Sequence, residues 1–335
     1  MEKDYRRIYE HLGDELSKEI FGCRVLYTET GMVWISKIFS SFPEGRELLE
    51  RLNRKDTRKV IFSAGEYAKD FAKVSYFAGW ECFVDNYKYG TVCEGIPVIS
   101  FEDYLKNYGD AEVYVASNRF HKEMIDQLLD NGIPKEQIID LTECFAPAEA
   151  RQYFDLPNLS CSEDEVFVDC GCYDGQTSKN FISWCQNKYK HIYAFEAEAD
   201  KVEQCKRALS KDKATIYPYG VWKEPGKLNF SANLQEGSCI SEDGEIVIPV
   251  ESLDHILEGE KVTFIKMDIE GSELQALQGG EKLIRANHPK LAVCVYHRPE
   301  DIYEIPNLLL AYHPDYTFYL RHYSCRNIET VLYAL

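Results

Sequence analysis

The residues best suited to chemistry fall in two short segments of the chain. In the first segment, an apolar run that starts at Val166 ends at Asp169, a turn with Gly171 and Gly175 follows, and Glu196 comes one β-α-β unit later. Such a turn lets the backbone approach a ligand, and an acid after the second strand can accept hydrogen bonds from two ribose hydroxyls. This layout is typical of a nucleotide-type ligand site.

The spacing within this turn indicates which ligand of that type binds. The turn reads Asp-x-Gly-x-x-x-Gly, which differs from the Gly-x-Gly-x-x-Gly of dinucleotide sites and favours S-adenosylmethionine (SAM) over NAD. We expect Asp169 and backbone N–H groups near Gly171 and Tyr173 to hold the methionine end of SAM, and Glu196 to bind the ribose. The predicted cofactor-binding residues are Asp169, Gly171, Cys172, Tyr173, Gly175, Glu196 and Ala197.

The second segment places charged residues where a central strand should end. Strand alternation puts Phe264, Lys266 and Asp268 on one face, and buried charges are costly unless they are paired or used. Asp268 is therefore a catalytic candidate, whereas Lys266 is expected to pair with a carboxylate. Glu270 either lines the acceptor site or, like Glu273, is stabilised by the dipole of the next helix.

A histidine follows the next predicted strand. His297 comes after the apolar part of that strand, at the same sheet edge as Asp268, and is predicted to be a general base. Asp301 either orients its imidazole or caps the following helix. The predicted catalytic residues are Asp268, Glu270 and His297. A divalent metal held by these three residues is a less favoured alternative, and no metal ligand is assigned.

Composition limits the classes of function. A length of 335 residues predicts about two domains, and 45% hydrophobic residues are enough for ordinary globular cores. The net charge of −18 argues against a nucleic-acid partner and favours a small-molecule or carbohydrate acceptor. The 12 cysteines are scattered and are expected to be free thiols. With no apolar run of ~20 residues and no signal-peptide core at the start, we expect a cytoplasmic protein without a membrane span.

Alternating strand and helix patterns predict the elements that position these residues. Residues 1–55 form a helical lead-in, which serves either as a packing extension or as a homodimer contact. A smaller Rossmann-like α/β domain (56–145) and a linker (146–163) precede a second α/β domain (164–335). A short turn separates the last two strands of that domain, which should therefore pair antiparallel. Its predicted strands are 166–169, 192–195, 215–219, 262–268, 291–296, 317–322 and 330–333, with an antiparallel insertion at 228–230 and 245–250.

The first α/β domain carries a second glycine-containing turn. It is a degenerate Gly-x-Gly-x-x-Gly, in which Ser63 replaces the first glycine and Ala68 the third, and Asp85 ends the next strand. Two interpretations fit this pattern. The domain either binds a nucleotide or sugar nucleotide, or it is a Rossmann-like unit used only for docking.

Together these segments resemble the FkbM-type methyltransferases, class I SAM-dependent enzymes that O-methylate carbohydrate or polyketide hydroxyls. The most specific match is the Lys-x-Asp-x-Glu-Gly-x-Glu block that begins at Lys266. Where common members have Val-Gly-Ala, this chain has Cys170-Gly-Cys172. The resemblance covers residues 164–335, and some members carry an amino-terminal Rossmann-like domain. The matching blocks are 167–175, 194–196, 265–273 and 329–333.

The resemblance implies a fold and an activity. It implies a seven-stranded class I methyltransferase sheet with an antiparallel last strand, and SAM-dependent methyl transfer to a hydroxyl of a carbohydrate or glycan-related small molecule. Two alternatives stay open. One is a sugar-nucleotide- or nicotinamide-dependent enzyme, and the other is a non-catalytic module that binds SAM or a sugar nucleotide.

Overall fold

The computed structural model describes residues 3–31, 38–39, 42–233, 237–240 and 246–335. The chain divides into two compact units. Unit 1 comprises Met1–Phe21, Arg151–Arg321 and Thr330–Leu335, and unit 2 comprises Gly22–Ala150 and His322–Glu329. Residues 322–329 thus belong to the unit formed mainly by the first half of the chain, although they lie within the predicted second domain. No helix in the described ranges has both the length and the apolar character needed to cross a bilayer.

The amino-terminal segment is helical, as the sequence predicts. Its helices are α1 (Tyr5–Glu10), α2 (Glu15–Thr30) and α3 (Pro43–Leu52). The amphipathic pattern explains α3, because Leu48 and Leu52 are buried while its charged residues face outward. Residues 1–2, 32–37 and 40–41 of the predicted lead-in lie outside the described residues.

Unit 2 contains a six-stranded sheet with strand order β3-β4-β2-β1-β5-β6. Each pair of neighbouring strands in this sheet is parallel except β3 with β4. The sequence missed β3, a short edge strand whose first two residues are exposed. It also placed the linker too early, because α7 continues through Pro147. The elements are β1 (Lys59–Phe62), α4 (Glu66–Val74), β2 (Cys82–Val84), β3 (Thr91–Cys93), β4 (Ile96–Ile99), α5 (Phe101–Asn107), β5 (Glu112–Val115), α6 (His121–Asp130), β6 (Ile138–Asp140) and α7 (Leu141–Arg151).

Unit 1 contains a seven-stranded sheet with strand order β16-β17-β15-β14-β7-β8-β9. Strand β17 runs antiparallel to β15, with Leu291 opposite Ala334, which confirms the predicted antiparallel last strand. The elements of this sheet and its helices are β7 (Val166–Cys170), α8 (Gln176–Trp184), β8 (His191–Phe195), α9 (Ala199–Ala208), β9 (Ala214–Tyr217), α10 (Leu253–Ile256), β14 (Phe264–Met267), α11 (Glu273–Gln278), α12 (Glu281–Asn287), β15 (Lys290–Cys294), α13 (Asp301–Tyr312), β16 (Phe318–His322) and β17 (Thr330–Ala334).

A smaller sheet is inserted between β9 and α10. It consists of β10 (Gly220–Val221), β11 (Gly226–Asn233), β12 (Gly237–Ile240) and β13 (Ile246–Glu251), in the order β10-β13-β11-β12. Strands β11 and β13 pair antiparallel, as predicted for the insertion. Glu245 of the predicted second strand lies outside the described residues.

Strand β7 lies at the centre of the large sheet and positions the site. It pairs with β14 on one side and β8 on the other, and all five of its residues are buried. Such doubly covered parallel strands need continuous apolar sequence, which explains the run that precedes Asp169. Phe167 stacks on Phe181 of α8 with a centroid distance of 4.2 Å. The loops after β7, β8, β14 and β15 consequently emerge at one edge of the sheet, where ligands bind in α/β folds.

Candidate active site

The loop after β7 is shaped by its close approach to the end of β14. Gly171 has φ +76°, and a Cβ at this position would lie 2.0 Å from the carbonyl oxygen of Asp268. A glycine is therefore required here for packing between two strand ends. The amides of Gly171 and Cys172 both donate to the carbonyl oxygen of Phe195, each at 3.0 Å. These two amides hold the loop against β8, whereas the sequence suggested that N–H groups near Gly171 would face a ligand.

Asp169 lies wholly inside the protein beneath this loop. Its Oδ2 accepts a hydrogen bond of 2.7 Å from Ser178 Oγ, and its Oδ1 lies 3.2 Å from Lys266 Nζ. Since the side chain has no exposed surface, it supports the loop from beneath, and its predicted contact with the cofactor stays a prediction. Burial alone would lower the pKa of Lys266, but Asp169 and Asp268 outweigh that effect and raise it. Lys266 is thus the buried partner of a carboxylate, as predicted.

Glu196 follows β8 and faces the same loop. Its carboxylate accepts backbone hydrogen bonds from Tyr173 (3.1 Å, at Oε2) and from Glu198 (2.8 Å, at Oε1). Burial raises the pKa of Glu196, and these backbone donors offset only part of that increase. A carboxylate has about four acceptor positions, so these backbone bonds leave part of its capacity open to hydroxyl donors. Glu196 therefore has the position and the acceptor capacity predicted for a ribose ligand.

The other predicted cofactor residues differ in how far their side chains are exposed. Tyr173 is 56% exposed and Lys201 Nζ lies 3.6 Å from its ring centroid, so this aromatic side chain forms part of the loop's outer surface. The thiol of Cys172 is buried against Cys205, with 3.2 Å between the sulfur atoms. Gly175, with φ +88°, begins α8, and Ala197 packs against the core of the inserted sheet. Of these, Tyr173 has a side chain well placed to meet a ligand.

Asp268 lies directly after β14, as predicted, and two tyrosines hold its carboxylate. The hydroxyl of Tyr153 donates to Oδ2 at 2.9 Å and that of Tyr296 donates to Oδ1 at 3.2 Å. A quarter of the Asp268 side chain (25%) remains exposed. Burial alone would raise the pKa of Asp268, but Lys266 and His297 outweigh it and keep the pKa below the usual value. Asp268 is therefore an ionised, accessible hydrogen-bond acceptor.

Sequence reasoning missed the role of both tyrosines. Tyr153 lies in the predicted linker, where no pattern marks it as functional, and its left-handed backbone (φ +74°) could not be anticipated. Its amide donates to the hydroxyl of Tyr333 at 3.0 Å, which helps to fix this conformation. Tyr296 stands beside His297 in a segment that the sequence did single out, so proximity to the predicted base was the only available signal.

His297 is surrounded by carboxylates. Its Nδ1 lies 3.1 Å from Glu273 Oε1, and its Nε2 lies 3.3 Å from Glu270 Oε2 and 3.5 Å from Asp268 Oδ1. Burial alone would lower the pKa of His297, but Glu270 and Glu273 raise it to about 11. In this environment the ring is an imidazolium at neutral pH, a state that cannot accept a proton. The structure thus brings Asp268, Glu270 and His297 together as predicted, but the charge of His297 disagrees with its assignment as the base.

Two further acids support this cluster. Glu273 begins α11, is completely buried, and accepts a 2.8 Å hydrogen bond from the Ile269 amide at Oε1. Asp301 is the first residue of α13 and accepts a 3.1 Å hydrogen bond from the amide of Arg298, which precedes the helix. The N-cap residue is Glu300, so Asp301 fixes the turn before α13 and does not cap the helix as one of its two predicted roles required. Burial and the nearby Glu273 raise the pKa of Asp301 to about 7.

The turn after β1 in unit 2 is organised by Asp85. Its Oδ2 accepts from the Ala64 amide at 2.8 Å, and its Oδ1 accepts from the Tyr87 and Lys88 amides at 2.9 Å each. Three backbone donors on one carboxylate indicate a structural role. Beside this turn is a cavity of about 370 Å³, which is lined by Ala64, Lys69, Lys88 and residues 91–94.

Comparisons with known proteins support the family and the fold. Residues 169–323 match the family model of the methyltransferase FkbM domain, which confirms the family predicted from the motifs. A crystal structure of the FkbM methyltransferase from Methylobacillus flagellatus KT aligns with a TM-score of 0.56 and 21% identity, over 96% of this chain and 99% of that chain. At this identity the match establishes a shared fold.

More distant solved structures also align with part of the chain. Fibrillarin from Aeropyrum pernix, with natively bound SAM, has a TM-score of 0.37 and 13% identity, over 56% of this chain and 74% of that chain. A SAM-dependent methyltransferase from Aquifex aeolicus has a TM-score of 0.30 and 14% identity, over 52% and 84%. Comparison with curated protein sequences gives no significant match.

Proposed function

Because residues 169–323 form an FkbM-type methyltransferase domain, we propose that this protein is a SAM-dependent O-methyltransferase. Its acceptor is a hydroxyl of a carbohydrate or a glycan-related small molecule. The observation that carries the proposal is the placement of two polar sites at one sheet edge. Glu196 follows β8 and Asp268 follows β14, the two neighbours of β7. Adjacent strands lie ~4.8 Å apart, so the two strand ends are separated by roughly 10 Å.

The residues on the β8 side fit the adenosine part of SAM. Glu196 keeps acceptor positions for the two ribose hydroxyls, and the exposed ring of Tyr173 lies on the same loop. Asp169, Lys266 and Gly171 hold that loop in place. When bound, SAM would supply a methyl group on a sulfonium, and the acceptor oxygen would form the new carbon–oxygen bond as the carbon–sulfur bond breaks and its electron pair stays on sulfur.

The residues on the β14 side fit an acceptor hydroxyl. Asp268 is the accessible carboxylate, and in our proposal it orients the hydroxyl and takes its proton, an effect worth about 10²–10⁴-fold in rate. Tyr153 and Tyr296 position that carboxylate by their hydrogen bonds. Glu270, which is 45% exposed, forms the outer wall beside it. His297 is 9% exposed and both its nitrogens face carboxylates, so it is less suited than Asp268 to receive the proton.

The polar character of this cluster supports a hydroxyl-rich acceptor. Carboxylates and tyrosine hydroxyls recognise sugar hydroxyls through directional hydrogen bonds. The net charge of −18 disfavours an anionic acceptor, since long-range repulsion would slow its approach. A neutral carbohydrate is consistent with both features.

The first test measures SAM binding by isothermal titration calorimetry. Glu196→Ala should weaken SAM binding at least about 100-fold, because two hydrogen bonds to a charged group are lost at about 1.5–3 kcal/mol each. Glu203→Ala is the matched control, since Glu203 is an exposed acid on the following helix α9 that pairs with Lys206. Equal affinity in the Glu196 variant and the wild type would remove Glu196 from the cofactor site.

The second test measures chemistry apart from binding. Asp268→Asn should leave SAM affinity nearly unchanged and lower turnover by about 10²–10⁴-fold. Incubation with methyl-labelled SAM and a glycan extract, followed by mass spectrometry, should yield a product with a labelled methyl ether. Label found only on nitrogen or carboxyl groups would contradict the proposed acceptor class.

The sugar-nucleotide prediction for unit 2 stays a prediction. What supports it is the cavity beside the β1 turn, where Lys69 and Lys88 could face a diphosphate. A thermal-shift screen with SAM, NADH and UDP-sugars separates the alternatives. Stabilisation by NADH alone would favour the nicotinamide enzyme, and SAM binding without methyl transfer to any acceptor would favour a binding module.

A further inference from the structure

The cluster around His297 has a geometry that the methyl-transfer proposal does not explain. The ring is nine-tenths buried, and its Nε2 points between the carboxylates of Glu270 and Asp268 at 3.3 and 3.5 Å. Neither ring nitrogen makes a hydrogen bond of acceptable geometry within the described residues, even though carboxylate oxygens lie this close. A histidine that served only as a hydrogen-bonded counter-ion would be expected to aim its N–H groups along those directions.

The measured distances agree with ligands that share one metal ion. Mg²⁺ binds oxygen ligands at about 2.0–2.1 Å in octahedral geometry, so adjacent ligand atoms lie about 3 Å apart. Mn²⁺, whose bonds are slightly longer, gives somewhat larger separations. His297 Nε2 lies 3.3 Å from Glu270 and 3.5 Å from Asp268, which is only a few tenths of an ångström more than the separation of adjacent ligand atoms around one ion. Asp268, Glu273 and His297 form a group whose ligand-type atoms all lie within 4.8 Å of one another, and Glu270 is joined to this group through its 3.3 Å separation from His297 Nε2.

Glu273 provides a second, independent observation. Its side chain is completely buried on the opposite side of the ring, with Oε1 3.1 Å from His297 Nδ1. Its Oε2 has no hydrogen-bond partner among the described residues. A carboxylate behind Nδ1 is the usual support of a metal-binding histidine, because it fixes the tautomer that leaves Nε2 free for the metal. In the metal-free protein this carboxylate pairs with the imidazolium, and a bound cation would replace the proton on Nε2 while Glu273 keeps the proton on Nδ1.

Charge balance points in the same direction. Asp268, Glu270 and Glu273 converge on one imidazole, and the nearby Lys266 is already paired with Asp169. Three carboxylates around one ring leave an excess of negative charge that a divalent cation would offset. Two carboxylates and one imidazole, with open positions for water and substrate, suit a hard or borderline ion such as Mg²⁺ or Mn²⁺.

We propose that Asp268, Glu270 and His297 bind a divalent cation of the Mg²⁺ or Mn²⁺ class, with Glu273 as the positioning residue behind His297. The cation would contact the acceptor hydroxyl and lower its pKa, so that a weakly basic carboxylate suffices to accept the proton. This catalytic use rests on the proposed function, whereas the binding of the cation does not.

The experiment measures Mn²⁺ binding to the full chain in the absence of SAM. After removal of metals by chelation and dialysis, the protein is titrated with MnCl₂, and binding is followed by calorimetry and by loss of the free Mn²⁺ signal in electron paramagnetic resonance. We expect one equivalent to bind. His297→Ala and Glu270→Gln should weaken this binding at least 10-fold, and Glu273→Gln by about 10–100-fold.

A matched control separates this site from adventitious metal binding. His288, His313 and Asp315 form another group that could hold an ion. His313→Ala should therefore leave the binding of one equivalent of Mn²⁺ unchanged. Glu270→Gln guards against loss of fold, because Glu270 is 45% exposed and its substitution creates no cavity. Absence of binding to the wild type, unchanged binding in the His297 and Glu270 variants, or loss of binding with His313→Ala would each overturn the proposal.

The outcome is distinguishable from a failure of the proposed function. If Mn²⁺ does not bind but SAM binds and methyl transfer continues in EDTA, the cation proposal is rejected and the methyltransferase stands. If Mn²⁺ binds as expected but SAM does not, the cation site stands and the methyltransferase is rejected. Glu196→Ala should weaken SAM binding and leave Mn²⁺ binding unchanged.

Discussion

The close contact of Gly171 with the end of β14 makes a strong prediction for Gly171→Ala. The added Cβ would lie 2.0 Å from the Asp268 carbonyl oxygen, about 1.5 Å inside normal contact, so the backbone must move. Two costs follow. A non-glycine residue in the left-handed region (φ +76°) costs about 1–2 kcal/mol, and overpacking costs about 1–3 kcal/mol. We therefore expect the free energy of unfolding to fall by about 2–5 kcal/mol.

Thermal unfolding of the variants provides the assay. For a unit of this size, 1 kcal/mol corresponds to about 2–4 °C in Tm, so Gly171→Ala should lower Tm by about 4–20 °C. Gly259→Ala is the matched control, because Gly259 has φ +81° but no atom within 4 Å of the added Cβ. It should lose only the backbone contribution of about 1–2 kcal/mol. Equal losses in the two variants would refute the argument that contact with Asp268 requires a glycine.

Three other variants probe separate parts of unit 1 and unit 2. Lys266→Met leaves the Asp169 carboxylate buried without its cation, and should lower the unfolding free energy by about 3–5 kcal/mol in urea denaturation. Tyr153→Phe removes a hydrogen bond to a carboxylate, and should lower turnover about 10–100-fold while calorimetry shows unchanged SAM affinity; unchanged turnover would reject its positioning role. Burial and the nearby Arg24 lower the pKa of His322 to about 3 in the folded protein. The unfolded chain binds a proton at about pH 6.5, so the free energy of unfolding is highest above pH 6.5 and falls as the pH drops from 6.5 towards 3. Between pH 6.5 and 5 the loss should be about 2 kcal/mol in chemical denaturation, and His322→Gln should abolish that part of the slope.

The sequence was most informative about the strands of the parallel sheets. Buried parallel strands need uninterrupted apolar runs, and the runs ending at Asp169 and Asp268 correspond closely to β7 and β14. Pro147 was misleading, because a proline normally ends a helix but α7 continues through it. The assignment of residues 322–329 to unit 2 depends on tertiary packing, which the local sequence of a turn does not encode.

The positions of candidate site residues could be predicted from the sequence where the order of strands alone determines them. Asp268 and His297 were expected at one sheet edge because each ends a parallel strand, and the structure brings them within 3.5 Å. The charge of His297 was not predictable, since it depends on the contacts of the ring with Glu270 and with the completely buried Glu273. Tyr153 could not be identified either, because its contact with Asp268 arises from a left-handed residue in a connecting segment.

The loop after β7, which contains Gly171, and the cluster around Asp268 and His297 are mechanically one structure. Lys266 Nζ donates to the Gly171 carbonyl at 2.8 Å and pairs with Asp169, and the Asp268 carbonyl packs directly on Gly171. The end of β14 therefore supports the loop of the proposed cofactor site and also carries Asp268, the proposed base. A displacement of Gly171 must move Asp268 as well, so Gly171→Ala should impair both SAM affinity and turnover, whereas Glu196→Ala should impair SAM affinity with a smaller effect on turnover at saturating SAM. If Gly171→Ala changed only one of the two quantities, the loop and the cluster would be independent, and the buried Lys266 would have to be explained by stability alone.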